Sequence, residues 1–169
     1  QGMTTVEAAI GAALMLILLF GAIEVARAIF VYNFLDEVTR RGARVAAVCP
    51  FNHPAIRKAA IFAEPTGAST TSPFVAQLTT NEVIIDYLDT AGNVASFGGN
   101  EFAETKFVRA YVESFPLKLL FFPTDITTPE FSTILPSESL GFNPELGECR
   151  CFGTPGSGTS NGCDWQAAL

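Results

Sequence analysis

Four thiols, one imidazole and a single carboxylate at the mouth of an apolar run are the side chains of this chain with chemistry to offer. Cys49, Cys149, Cys151 and Cys163 are even in number. Three of them cluster in a Gly-rich C-terminal stretch, the pattern of an exported protein held by disulfides. Cys149 and Cys151 are too close in sequence to pair without strain, since a disulfide prefers Cα atoms ~5.5–6 Å apart and extended geometry points both side chains one way. The expectation is that Cys163 pairs with one of them and Cys49 with the other. The long link would be worth on the order of 4–5 kcal/mol in the chain-entropy account. Four thiolates on zinc would need paired C-x₂-C knuckles, and this sequence has none. His53 is the only histidine and stands just ahead of Pro54, a helix-start position rather than a catalytic one. Gly156-Ser157-Gly158 lacks the spacing of a nucleophile elbow, and no phosphate-cradling or dinucleotide-binding Gly pattern occurs. Asp86, Asp89 and Asn93 could ligate calcium, but turn chemistry explains Asp89 and Asn93. The expectation is a chain with no catalytic site, no cofactor and no metal.

The elements that carry these residues divide sharply. Of 169 residues, 49% are hydrophobic and only 16% charged, with a net charge of −7. That excludes a disordered chain and argues against a nucleic-acid surface, which needs clustered Lys and Arg. Sixteen uncharged residues run from Ala8 to Ile23, bounded by Glu7 and Glu24. Beyond them the helical pattern continues: Pro50 is the first proline. Asp36–Arg40 and Glu37–Arg41 are acid-before-base pairs at i,i+4. Ala28, Tyr32, Leu35, Thr39, Gly42, Ala46 and Cys49 fall on one face at 4-3-4-3-4-3 spacing. One helix of about 45 residues, roughly 65 Å long at 1.5 Å per residue, follows from this. Its front half is apolar all round, for membrane residence at some stage, and its back half is amphipathic and should lie on a domain made by the rest of the chain. Residues 1–50 carry no net charge, so the whole of the −7 falls on residues 51–169.

Nothing basic precedes Ala8 and no small-residue cleavage site follows the run, so this is no ordinary removable signal peptide. The arginines after the run would pull that side toward the cytoplasm, whereas the cysteines indicate export. A basic leader ahead of Gln1, since removed, would reconcile the two.

The opening Gly2-Met3-Thr4-Thr5-Val6-Glu7-Ala8-Ala9 and the apolar run after it resemble the N-terminus of type IV pilin-like proteins. More narrowly they are similar to the TadE-like pseudopilins of the tight-adherence (Tad) pilus system. The likeness continues through Phe20–Ala28 and Arg41–Ala47, covering about the first 48 residues closely. In that family a prepilin peptidase cuts after a glycine five positions ahead of a glutamate, which Gly2 and Glu7 fit, so the resemblance implies processing between Gly2 and Met3. The retained Gln1 and Gly2 depart from a processed pilin.

An ionised Glu7 is costly to bury without a partner. In a dry core of packed helices it would need a cation, such as the free α-amino group of a neighbouring chain, and its own helix N-terminus would add a fraction of a kcal/mol. In a lone anchor it would sit at the headgroup level. The resemblance implies the assembly role. Gly11, Ala12, Ala13, Gly21 and Ala22 would allow close helix approach, with Leu14 and Leu18 in the same assembling set.

The remainder reads as α+β: a short helix at Pro54–Ala63 capped near Asn52 or His53, a loop at Ala68–Pro73, and a strand at Glu82–Leu88. A turn at Asp89–Asn93 leads to Val94–Phe97, and Lys106–Phe115 reads as a central strand. Phe131–Leu135, and after Pro136 Glu138–Phe142, read as a last strand. An antiparallel meander with one face on the long helix would bury these sets. Leu117–Phe122 is an apolar knot. The tail from Gly141, with six glycines in 29 residues, is expected to form no regular element. The domain division is residues 1–50 as a transmembrane and filament-core helix, and 51–169 as an extracytoplasmic head, with a 51–140 core and a 141–169 Cys/Gly-rich tail.

The functional expectation is a structural subunit of a Tad-type surface filament, inner-membrane-held before assembly and extracellular afterwards. Its partners would be copies of itself or other pilins, the prepilin peptidase and the inner-membrane assembly machinery, and no nucleic acid. The alternatives are a membrane-anchored minor pseudopilin or assembly factor, to which the resemblance leans because principal Tad pilins are much shorter, and a tethered periplasmic binding domain or enzyme.

Overall fold

The computed structural model describes residues 2–95, 105–119, 125–138, 140, 142–143, 148–151 and 154–155. Helix α1 runs unbroken over Gly2–Val48, 47 residues, or about 70 Å. A short helix α2 follows at Pro54–Ala60. Then come strands β1 (Val83–Leu88), β2 (Phe107–Val112), β3 (Pro116–Lys118), β4 (Asp125–Thr127) and β5 (Phe131–Pro136). Two-to-four-residue strands β6 (Phe142–Asn143), β7 (Glu148–Cys151) and β8 (Thr154–Pro155) come last among the described residues. The architecture is α+β with a stapled tail, as expected.

The main sheet has the order β1-β2-β5 and is antiparallel throughout. Its register sets three rows of side chains toward α1: Val83–Val112–Phe131, Ile85–Ala110–Thr133 and Tyr87–Val108–Leu135. The alternation in β2 produces this directly, since Val108, Ala110 and Val112 are all buried while Arg109 and Tyr111 face outward beside Asp86 and Ile84. The meander is interrupted once, by the β3–β4 hairpin inserted between β2 and β5. Leu117 at its start is buried, while residues 120–122 of the apolar knot lie outside the described residues.

Helix α1 packs on this sheet with its back half only. Val31, Leu35, Val38, Thr39, Gly42, Ala43, Ala46 and Ala47 are buried. Leu35, Thr39, Gly42 and Ala46 match the expected stripe, but Val31 rather than Tyr32 reaches the core. Tyr32 stays at the surface and touches the edge of the Phe131 ring at 4.7 Å between centroids. A flat sheet needs a stripe wider than the coiled-coil seam, so both i+3 and i+4 neighbours are covered. Gly42 marks the closest approach: a Cβ there would lie 3.3 Å from the Cβ atoms of both Ala110 in the sheet and Ala60 in α2. The Thr39 and Thr133 hydroxyls meet at 3.0 Å, so the one polar pair at this contact is satisfied.

Other boundaries shift by local chemistry. Helix α2 stops at Ala60, three residues short of Ala63, because Phe62 takes a left-handed conformation (φ 63°). His53 is its N-cap, its Nδ1 accepting from the Ala55 amide at 3.2 Å. The turn at Asp89 forms, but Val94 contributes an isolated bridge to Leu88 rather than a strand, and Ser96 and Phe97 lie outside the described residues. No strand covers Glu138–Phe142 among the described residues: the amides of Glu138 and Leu140 instead donate to the Ala47 carbonyl in the last turn of α1, and the strand starts only at Phe142. The tail departs further from expectation, since β6, β7 and β8 pair antiparallel in that order. Cys49 is bonded to Cys151, 102 residues away, with Cα atoms 5.0 Å apart. That resolves the open choice between Cys149 and Cys151, and Cys163 lies outside the described residues.

Candidate functional site

Residues 2–23 form a bare helix. None of them is buried, and the most apolar 18-residue window has a mean hydropathy of 2.3 with none of it covered by the rest of the chain. Leu14 and Leu18 are 58% and 74% exposed. Such a surface is far larger than the isolated apolar residues that monomeric proteins leave in water. The segment is long and apolar enough to cross a membrane.

Glu7, Gly11, Leu14, Leu18 and Gly21 recur at 4-3-4-3 spacing and so share one face of this segment, a seam of about 21 Å. Among the described residues nothing lies within 4 Å of a Cβ built on Gly11 or Gly21, so both offer a partner helix a close approach. Gly2 and Met3 are exposed at the helix start, where the Thr5 hydroxyl donates to the Gly2 carbonyl at 2.8 Å. Glu7 is exposed, and because the helix begins at Gly2 it lies beyond the first turn. The expected macrodipole contribution to Glu7 therefore falls away, since that effect is confined to the terminal turn.

Where the bare segment meets the head, the polar chemistry is concealed. Glu24 is 2% exposed and pairs with Arg27 at 2.7 Å. The same Arg27 nitrogen donates to the Lys118 carbonyl at the end of β3. The i,i+3 spacing of the pair is visible in the sequence, but its burial against a hairpin that arrives from 91 residues away is not. Beside it a groove of about 280 Å³ opens between α1 and the head, lined among others by Arg27, Phe30, Phe74, Gln77, Leu117 and Lys118. Of this group, the arginine and the glutamate carry a spacing signal in the sequence, and Leu117 and Lys118 stand in the apolar knot.

The residues weighed for chemistry are occupied structurally. Burial pushes the His53 imidazole below its ordinary range, which suits the neutral ring that caps α2. Asp86 pairs with Arg109 across the sheet at 2.6 Å. Asp89 accepts from the amides of Asn93 and Ala91, and the Asn93 amide first of all holds its carboxyl below the usual range. These two aspartates serve a strand pair and a turn. Among the described residues no three His, Cys, Asp or Glu side chains converge as a metal site would require.

The N-terminal segment is also where the chain matches known proteins: residues 2–44 match the TadE-like protein family. No curated protein and no solved structure matches the chain. The match covers the bare helix and most of its packing on the head, and it ends before α2. Over residues 2–44 the chain is thus similar to TadE-like proteins.

Proposed function

We propose that the protein is a structural subunit of a Tad-type surface filament, built by packing its N-terminal helix against those of neighbouring subunits. The observation that carries the reading is segment 2–23, an apolar helix of which no residue is buried in its own chain. Before assembly that segment is held in the inner membrane, with residues 51–169 as the extracytoplasmic head. A prepilin peptidase removes what precedes Met3, and the inner-membrane pilus machinery moves the helix from lipid to protein. Both surroundings are apolar, so the transfer involves little change in burial and the machinery can drive it. The disulfide fits an oxidising compartment.

In the filament Glu7 pairs with the α-amino group of Met3 on a neighbouring chain, and Gly11, Leu14, Leu18 and Gly21 form the packed seam. Breaking such a buried pair costs roughly 3–5 kcal/mol. Glu7→Ala is therefore expected to reduce the subunit recovered in sheared surface fibres by about a hundredfold or more, with the amount in the membrane unchanged. Unchanged recovery in fibres overturns the reading. If the wild-type chain is scarce in fibres yet the fibres fail without it, the chain is the minor assembly factor, a role that the size of its head also suits.

A further inference from the structure

We propose that the groove between α1 and the head is a seat for the phosphodiester headgroup of a membrane glycerophospholipid, holding the head flush on the bilayer before assembly. The bare segment of residues 2–23 is about 33 Å long at 1.5 Å per residue, against a hydrocarbon core of ~30 Å. With that segment in the bilayer, Arg27 stands about 6 Å beyond its end, at the depth of the headgroups. The groove opens there.

Its lining has the two halves of a lipid contact. Arg27 and Lys118 supply cationic donors, and Phe30, Phe74 and Leu117 supply apolar surface, with Phe74 61% exposed and Phe30 51% exposed. Exposed aromatics beside basic residues suit the membrane–water boundary, where one end of the site is wet and the other oily. Glu24 is paired with Arg27, and Asp125 stands opposite Lys118 in the β3–β4 register, so a phosphate here is met by positioned donors and not by a net positive charge. Arg27 is already fixed, one of its terminal nitrogens held by the Glu24 carboxylate and the Lys118 carbonyl, so part of its ordering cost is met before a phosphate arrives. A volume of about 280 Å³ lies just under the range of drug-sized pockets, about 300–1,000 Å³, which suits a headgroup with the acyl chains left in the bilayer. The continuous helix through residues 24–31 prevents the head from swinging away from this depth.

The inference rests on the reading that α1 spans a bilayer, and the test separates the two. The full chain carrying Trp165→Phe is reconstituted in vesicles of phosphatidylethanolamine and phosphatidylglycerol, with a single tryptophan reporter introduced as Phe74→Trp or as Leu14→Trp. Lipids brominated near the headgroup should quench the Phe74→Trp reporter more strongly than lipids brominated near the chain end, and the order should reverse for Leu14→Trp. Quenching of Leu14→Trp without quenching of Phe74→Trp overturns the lipid seat and leaves the span intact. Failure of both removes the span itself. Protection of Phe74→Trp together with energy transfer between copies of the chain overturns the seat in favour of a second copy. For the phosphate contact, Lys118→Gln in the Phe74→Trp chain should weaken its response to phosphatidylglycerol titrated into micelles by about fivefold, the worth of one lysine near a lipid surface. An unchanged titration overturns the headgroup contact, and circular dichroism of the same sample checks that the variant is folded.

Discussion

At the scale of single residues, glycines with the same sequence character do opposite work. Gly42 is fixed by the fold, with its α-hydrogen facing Ala110 on one side and Ala60 on the other. Gly42→Val forces extra methyl groups into that contact and should destabilise the head by roughly 1–3 kcal/mol, read as a lower midpoint in urea. Gly21→Ala meets nothing within 4 Å, so it should leave that midpoint unchanged and act only on assembly. Tyr87 gives a pH test. Its ring is 2% exposed, its oxygen accepts from the Asn52 amide at 3.1 Å, and burial pushes its pKa up to about 12. The folded state binds the phenolic proton more tightly than the unfolded state does, so this stability is full below pH ~10 and is lost as pH rises toward about 12. Tyr87→Phe should reduce that alkaline loss, measured by thermal melts across the window.

At the scale of elements, α1 is two helices in function and one in geometry. Its back half is held by the sheet, by α2 and by the bond from Cys49 to Cys151 just past its end. Cross-linking residues that far apart constrains the unfolded chain, and reduction should cost about 4–5 kcal/mol in the chain-entropy account. The check is the urea midpoint with and without reductant. The bond fastens the C-terminal strands to the end of the helix that Glu138 and Leu140 also cap. Much of this element layout was legible in advance: the helix length, the central strand β2 and the helix-facing set follow from local periodicity. The β3–β4 hairpin was legible only as an apolar knot between prolines, because a strand of three residues has too short a period to read. The burial of Glu24 had no local signal, since it depends on where that hairpin lands.

At the scale of the whole molecule, the core contains no residue before Glu24. A chain beginning at Glu24 should therefore retain the fold of the head, with a melting temperature within a few degrees of the full chain. Collapse of that truncated chain, read by near-ultraviolet circular dichroism, would mean that the bare helix stabilises its own head. On the outward face of the sheet Arg109 pairs with Asp86 and stacks on Tyr111, with its carbon 4.5 Å from the ring centroid. The longest run of exposed apolar side chains is the N-terminal rod, while Phe107, Ile126 and Ile134 are exposed singly on the head.

The sequence by itself determined the long helix, its bare apolar front and the likeness to TadE-like proteins, because each is written in residues near one another along the chain. Only the tertiary structure decided that Cys49 takes Cys151, that Val31 displaces Tyr32 from the core, and that Glu24 and Arg27 are folded under Lys118. Each of those choices depends on which distant segment arrives beside the residue. A local pattern of hydropathy fixes the period of an element but not the identity of its neighbour.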